Sequence, residues 1–258
     1  MRELTGKHLH LFGGQGIGDM SMVEECAAAG VEIDWVDLLY SPSLDLLRDS
    51  VYLPLLAKAE AGAYDSAWAA FPCGAFCHSR WKDDGGAPPL YSTEYPRGRP
   101  GLGGRWQVEL IDCEELLYRT CTLLSAVARR GGSVAGETPV SRREPGWPWS
   151  RWDWPFHMCL FEHPLWKALE RGWGMSHATF AQCHALVGSE YQKYSVVAYS
   201  AGWERSWGEL DGCWCTCVGQ HAAVAAGYSP SGASMASKAE KYPHLLRRRL
   251  SASIIRFE

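Results

Sequence analysis

Three short stretches carry residue types that can do chemistry, and each follows an apolar run that reads as a strand. Phe71-Pro72-Cys73-Gly74-Ala75-Phe76 ends the run 67–71. Proline fixes the backbone just before a cysteine, and glycine lets the chain turn after it. A thiol on a tight turn at the carboxyl end of a strand is a candidate nucleophile, competent as the thiolate. Glu137-Thr138-Pro139 follows the short run 133–136; a carboxyl group there suits proton transfer. Gly13-Gly14-Gln15-Gly16-Ile17-Gly18 follows the run 8–12 and precedes a helical pattern from Met20 to Ala29. Glycines in such a turn let the backbone approach a ligand, and the helix amino terminus favours anionic groups. About 20 residues on, the run 31–39 carries Asp34 and Asp37, either of which suits a ribose hydroxyl pair.

Two further clusters are of other kinds. Cys213-Trp214-Cys215-Thr216-Cys217 with His221 is a candidate zinc set, although structural zinc sites space their cysteines more widely. Between Val140 and Gly174, Arg142, Arg143 and Arg151 alternate with Trp147, Trp149, Trp152 and Trp154 among prolines. Aromatics among cations can stack bases and hold phosphates, or can fill a small irregular subdomain.

The elements that must position these groups alternate strand and helix. That pattern predicts an α/β fold: a doubly wound, Rossmann-like sheet with all the strand ends along one edge. Helices are expected over 20–29, 51–60 and 106–130, with another after Pro243 whose arginines 247–249 read as a solvated face. Further strands are expected over 178–187 and 195–199. The Gly/Pro-rich stretch 82–104 reads as a lid or substrate-binding loop. The expected organisation is a core over 1–139, a Trp/Arg/Pro-rich insertion over 140–177 as candidate target-recognition segment, and the remainder of the core with a terminal helix over 178–258.

The 258 residues are 47% hydrophobic and 21% charged, as in a soluble globular domain. No apolar run reaches the ~20 residues of a membrane span, and the first residues carry no leader pattern. An intracellular protein, nuclear or cytoplasmic and not secreted, is expected. No membrane partner is expected, and a monomer is. Ten cysteines then read as thiols or metal ligands. A net charge of -4 argues against a broadly basic nucleic-acid binder while leaving room for a local basic groove.

Taken together, the motifs over about the first 140 residues resemble those of the cytosine-C5 DNA methyltransferases, in divergent and compact form. Leu11-Phe12-Gly13-Gly14-Gln15-Gly16 is similar to their first motif, Phe71-Pro72-Cys73 with Phe76 to their Phe-Pro-Cys-x-x-Phe motif, and Glu137-Thr138-Pro139 to their Glu-Asn motif. The resemblance implies S-adenosylmethionine as cofactor, held by Phe12, Gly14, Gly16, Pro72, an acid at Asp34 or Asp37 for the ribose, and Asp45 for the adenine amino group. It implies Cys73 as the nucleophile adding to C6 of cytosine, and Glu137 as the acid at N3. It implies DNA as partner ahead of RNA, with Arg80, Arg97, Arg99, Arg142 and Arg143 as candidate phosphate contacts. The chain also departs from the family. Gly74 stands where the family has glutamine, Thr138 where it has asparagine, and the Gln-x-Arg-x-Arg motif is missing. The alternative is a catalytically degenerate, methyltransferase-like nucleic-acid-binding protein holding zinc.

Overall fold

The computed structural model describes residues 5–13, 20–83, 85–141, 143, 155–183, 193–217 and 244–255. The elements are β1 (Lys7–Leu11), α1 (Met20–Ala28), β2 (Glu32–Val36), α2 (Asp49–Glu60), β3 (Ser66–Ala69), α3 (Arg105–Arg129), β4 (Ser133–Pro139), α4 (Pro164–Trp173), β5 (Ser176–Ala181), β6 (Tyr194–Tyr199), the one-turn α5 (Glu204–Trp207) and α6 (His244–Ile255). The six strands form one sheet in the order β2-β1-β3-β4-β6-β5. The first four are parallel, and β6 runs antiparallel between β4 and β5. This is the expected doubly wound α/β class.

The order places β2 and β3 on opposite sides of β1, so the chain reverses direction there. The helices follow suit. Met22 and Cys26 of α1 join a core on one face with Trp203, Trp207, Leu246, Leu250 and Ile254. Tyr52 and Leu55 of α2, and Leu117, Leu123 and Leu124 of α3, join a larger core on the other. A crevice therefore opens between the carboxyl ends of β1 and β3, where doubly wound sheets bind ligands.

Helix α4 was not among the expected elements, although its signature is local. Pro164 occupies the first turn, His163 Nδ1 accepts from Leu165 N at 3.2 Å, and Gly174 closes the helix at φ 59°. Proline at the start and glycine at the end is the usual asymmetry. Its Trp166 packs against Gly136 of β4, where a Cβ would come within 2.3 Å of the indole ring. Met158, Leu160 and Phe161 are buried in the same core. From residue 155 onward the expected insertion is therefore continuous with the core. Its Trp/Arg stretch lies mostly outside the described residues. The stretch 82–104 is likewise packed at its centre rather than lid-like. Leu90, Tyr91 and Ser92 are buried, and Arg99 N donates to Leu90 O at 2.8 Å. Among the described residues no helix is long and apolar enough to cross a membrane.

On the α1 face, β1 buries two histidines. His8 Nδ1 lies 2.7 Å from Ser66 Oγ, and His10 stacks on Trp35 with centroids 4.4 Å apart. Burial pulls His10 down to about 3, and burial with the neighbouring His10 pulls His8 well below the usual imidazole range. Both are therefore neutral in the folded state. Below the unfolded value near 6.5 the unfolded chain binds protons that the folded chain refuses, so stability is full above pH 6.5 and falls as the pH drops toward 3. Urea unfolding at pH 7 and pH 5 should show a loss of about 2 kcal/mol per histidine. His10→Phe, which keeps the stacking on Trp35, should remove one histidine's share of that slope.

Candidate active site

A cavity of about 500 Å³ sits at the crevice between β1 and β3, within the range of small-molecule sites. It is lined by Phe12 and Gly13 after β1, Asp37 after β2, and Pro72, Cys73 and Gly74 after β3, with Glu137 near the end of β4. The 44–47 turn and Lys193 complete it. Parallel register produces this convergence. Leu11 pairs with Ala69 and Ala69 with Gly136, so Glu137 stands level with the residue that follows β3. Cys73 and Glu137 thus face one cavity.

The β1 turn begins with a strained residue. Phe12 has φ 63°, a region that bulky side chains avoid at a cost of about 1–3 kcal/mol. Its N–H still donates to Val36 O at 2.8 Å, and its ring meets the edge of Phe71 at 5.5 Å. Gly13 follows beneath the Trp35 indole, where a Cβ would lie 2.0 Å from the ring. Gly14 and Gly16 lie outside the described residues.

Of the two candidate acids on the second strand, the structure brings Asp37 to the cavity and not Asp34. Asp34 bonds the Tyr64 hydroxyl at 2.6 Å and the Lys58 ammonium at 2.9 Å. Burial works against its charge, but these two donors outweigh it and hold the carboxyl below the usual carboxylate range. Asp37 is buried at the cavity wall, with Oδ1 accepting from Leu39 N at 2.6 Å. Asp45 lines the cavity too and closes a local turn by accepting from Leu47 N at 3.0 Å.

Cys73 starts a single 3-10 turn, 73–76, that is held from four sides. Pro72 precedes it at φ -53°. Phe76 stacks on Tyr91 with centroids 4.6 Å apart. His157 Nε2 lies 3.1 Å from Phe76 O. Arg80 Nε donates to Gly74 O at 2.6 Å while its Nη1 donates to Pro88 O at 3.1 Å and its Nη2 pairs with Glu109 of α3. Arg80, expected as a phosphate contact, thus ties the cysteine turn to the loop at Pro88 and to α3. All three guanidinium nitrogens are engaged internally, and only 9% of the side chain is exposed. Arg143 is likewise paired, with Glu162, and Arg99 lies over the Trp81 ring at 5.6 Å. Arg97 is exposed, and Arg142 lies outside the described residues.

Half-burial in the cavity separates Cys73 from the buried thiols. Burial pushes Cys26 up to about 11 and Cys113 and Cys121 up to about 12, which leaves them protonated and inert.

Glu137 is buried, and its partners come from the antiparallel strand. Ser195 of β6 donates its hydroxyl to Oε1, Gln182 Nε2 donates to Ser195 Oγ at 2.9 Å, and Lys193 Nζ stands 3.7 Å from Oε1. Sequence reasoning missed all three. The one local signal is a lone polar residue, Ser195, inside the apolar run of β6. Thr138, next along β4, does not line the cavity, because successive strand residues face opposite ways.

No protein-family model and no curated protein sequence matches the chain. Among solved structures, the S. pombe Dnmt2 methyltransferase superposes with a TM-score of 0.36 at 12% identity, over 75% of this chain and 50% of that one. The chain thus corresponds to half of that protein's length.

Two substitutions separate the architecture of the cysteine turn from its chemistry. A Cβ at Gly74 would meet nothing within 4 Å, so Gly74→Ala should fold normally and gain up to about 1 kcal/mol through a stiffer unfolded chain. Arg80→Lys forfeits the fork that joins Gly74 O, Pro88 O and Glu109. It should lower urea stability by about 1–3 kcal/mol and change the alkylation rate of Cys73.

Proposed function

We propose that this chain is a methyltransferase that uses S-adenosylmethionine to methylate C5 of cytosine in a nucleic acid, DNA ahead of RNA. The observation that carries the reading is the meeting of a thiol and a buried carboxylate, Cys73 and Glu137, in the cavity that also holds the acid following the second strand. The cofactor fits the residues present. Asp37 stands where a ribose diol is held in nucleotide-binding α/β units, Asp45 offers a second carboxylate, and Phe12, Leu38 and Leu46 provide apolar walls for a flat base.

When bound, S-adenosylmethionine supplies an electrophilic methyl group. The chain must do the rest. Cytosine C5 is not nucleophilic until C6 is attacked, and Cys73 as thiolate makes that attack. Negative charge then develops toward N3, where the Glu137 carboxyl bonds the ring and delivers or shares a proton. Ser195 and Lys193 orient that carboxyl, and the low exposure of the site strengthens their hold. After the methyl is in place, the C5 proton passes to solvent, the ring eliminates Cys73 as thiolate, and N3 returns its proton to Glu137. A base paired in a duplex cannot reach such a cavity, so the target must be flipped out or single-stranded.

The alternative reading, a relative that binds without transferring, is favoured by Gly74 and Thr138 standing where the family has glutamine and asparagine. One experiment separates the two. Purified protein is titrated with S-adenosylmethionine by calorimetry, then incubated with labelled cofactor and DNA or RNA, including oligonucleotides carrying 5-fluorocytosine. The C5 fluorine blocks the final elimination, so the proposal expects a covalent adduct on Cys73 that is absent from Cys73→Ser. Glu137→Gln should slow transfer by about 10²–10⁴-fold with cofactor affinity unchanged, whereas Asp37→Asn should weaken the cofactor by about tenfold or more. Cofactor binding without adduct or transfer would establish the binding-only reading, and absence of cofactor binding would sink both.

A further inference from the structure

Beyond the cavity, the described residues contain one cluster of soft ligands, and it differs from the set expected from the sequence. The thiols of Cys183, Cys215 and Cys217 all lie within 4.8 Å of one another. They come from two segments. Cys183 is two residues past the end of β5 and is buried. Cys215 and Cys217 are half-buried on a strap without helix or strand structure, which follows the contacts of Gly212 N with Thr179 O at 3.0 Å and of Ala181 N with Cys213 O at 2.9 Å on β5. Cys213 does not join them. It sits in the preceding turn, with its N–H on Leu210 O at 3.0 Å and its Sγ against Glu209 O at 3.5 Å. His221 lies outside the described residues.

We infer that Cys183, Cys215 and Cys217 form a thiolate site for a zinc ion that ties the strap to the end of β5. Three soft sulfurs select zinc over hard cations. With Zn–S bonds of ~2.3 Å, ligands at the corners of a tetrahedron stand about 3.8 Å apart. The observed spread is therefore within about 1 Å of closure, a change that χ1 adjustments supply. Cys215 and Cys217 keep partial exposure, so the ion has a route in, and a fourth donor, solvent included, completes the tetrahedron. On binding, each thiol loses its proton to solvent and gains a zinc–sulfur bond, with no change of oxidation state.

The site lies at the sheet edge, where among the described residues no further strand pairs with β5 on its outer side. It also reaches the cavity. Gln182, adjacent to Cys183, donates its backbone N–H to Lys193 O at 2.8 Å and its side chain to Ser195 Oγ. Lys193 and Ser195 are the partners of Glu137. Zinc would thus hold the residues that orient the carboxylate, whichever reaction the cavity performs.

Metal analysis of the full chain, purified under reducing conditions without added zinc, tests the inference independently of activity. The expectation is stoichiometric zinc in the wild type and in Cys213→Ser, and loss of affinity in Cys183→Ser, Cys215→Ser and Cys217→Ser exceeding the ~100-fold that removal of a mere supporting partner produces. Cobalt(II) titrated into metal-stripped wild type should give tetrahedral d–d bands with sulfur-to-cobalt charge transfer, a measurement that requires no variant to fold. Absence of zinc together with absence of the cobalt bands overturns the inference. So does a mass two hydrogens short with two of these cysteines joined as a disulfide, or equal metal loss in Cys213→Ser.

Discussion

The constraint on which the molecule depends is the parallel register of β1, β3 and β4. Leu11, Ala69 and Gly136 lie side by side, so the three segments leaving those strands emerge at one level. A slip of one residue would turn each strand's core side chains to the opposite face, burying Glu137 beneath the sheet rather than beside Cys73. The register is strongly specified because both faces of β1 are buried. Leu9 and Leu11 face one core, and His8 and His10 face the other.

The two faces of the sheet do different work. The larger core anchors the cavity walls through α2, α3 and α4, and it relies on Gly136, whose missing side chain lets Trp166 approach β4. The smaller core is built around Trp68, Trp203 and Trp207, with the two neutral histidines beside them. Among the described tryptophans, Trp68, Trp166, Trp203 and Trp207 are buried in the two cores, and Trp35, Trp106, Trp173 and Trp214 pack half-buried against them. Of the arginines expected to contact phosphate, Arg80 is buried against Glu109 and Arg143 pairs with Glu162 half-buried, while Arg97 is exposed.

The cysteine turn illustrates how thiols of one chain come to stand in different surroundings. Cys113 and Cys121 of α3 are buried in the core, where desolvation outweighs any partner and keeps the proton on sulfur. Cys73 stands at the cavity with its turn held from outside by a guanidinium, an imidazole and an aromatic stack. None of those holders is a neighbour in sequence except Arg80, and Arg80 acts by joining Gly74 to α3 and to the loop at Pro88.

What the sequence determined by itself is what local physics writes into short stretches. Apolar runs ended by glycine or proline mark β1, β3 and β4, the long amphipathic stretch marks α3, and the Pro-Cys turn and Glu137 stand out as polar groups at strand ends. Even α4 was legible in principle, through Pro164 and Gly174. The tertiary structure alone decided which groups meet. Ser195 reaches Glu137 across 58 residues of chain, Asp37 rather than Asp34 turns into the cavity, and Cys183 rather than Cys213 joins the strap cysteines. The first and last follow from the insertion of β6 between β4 and β5, and the second from the pairing of β2 with β1, which keeps Asp34 within the strand beside Lys58 and Tyr64. Such long-range pairings are chosen by the burial of whole faces, so no local pattern carries them.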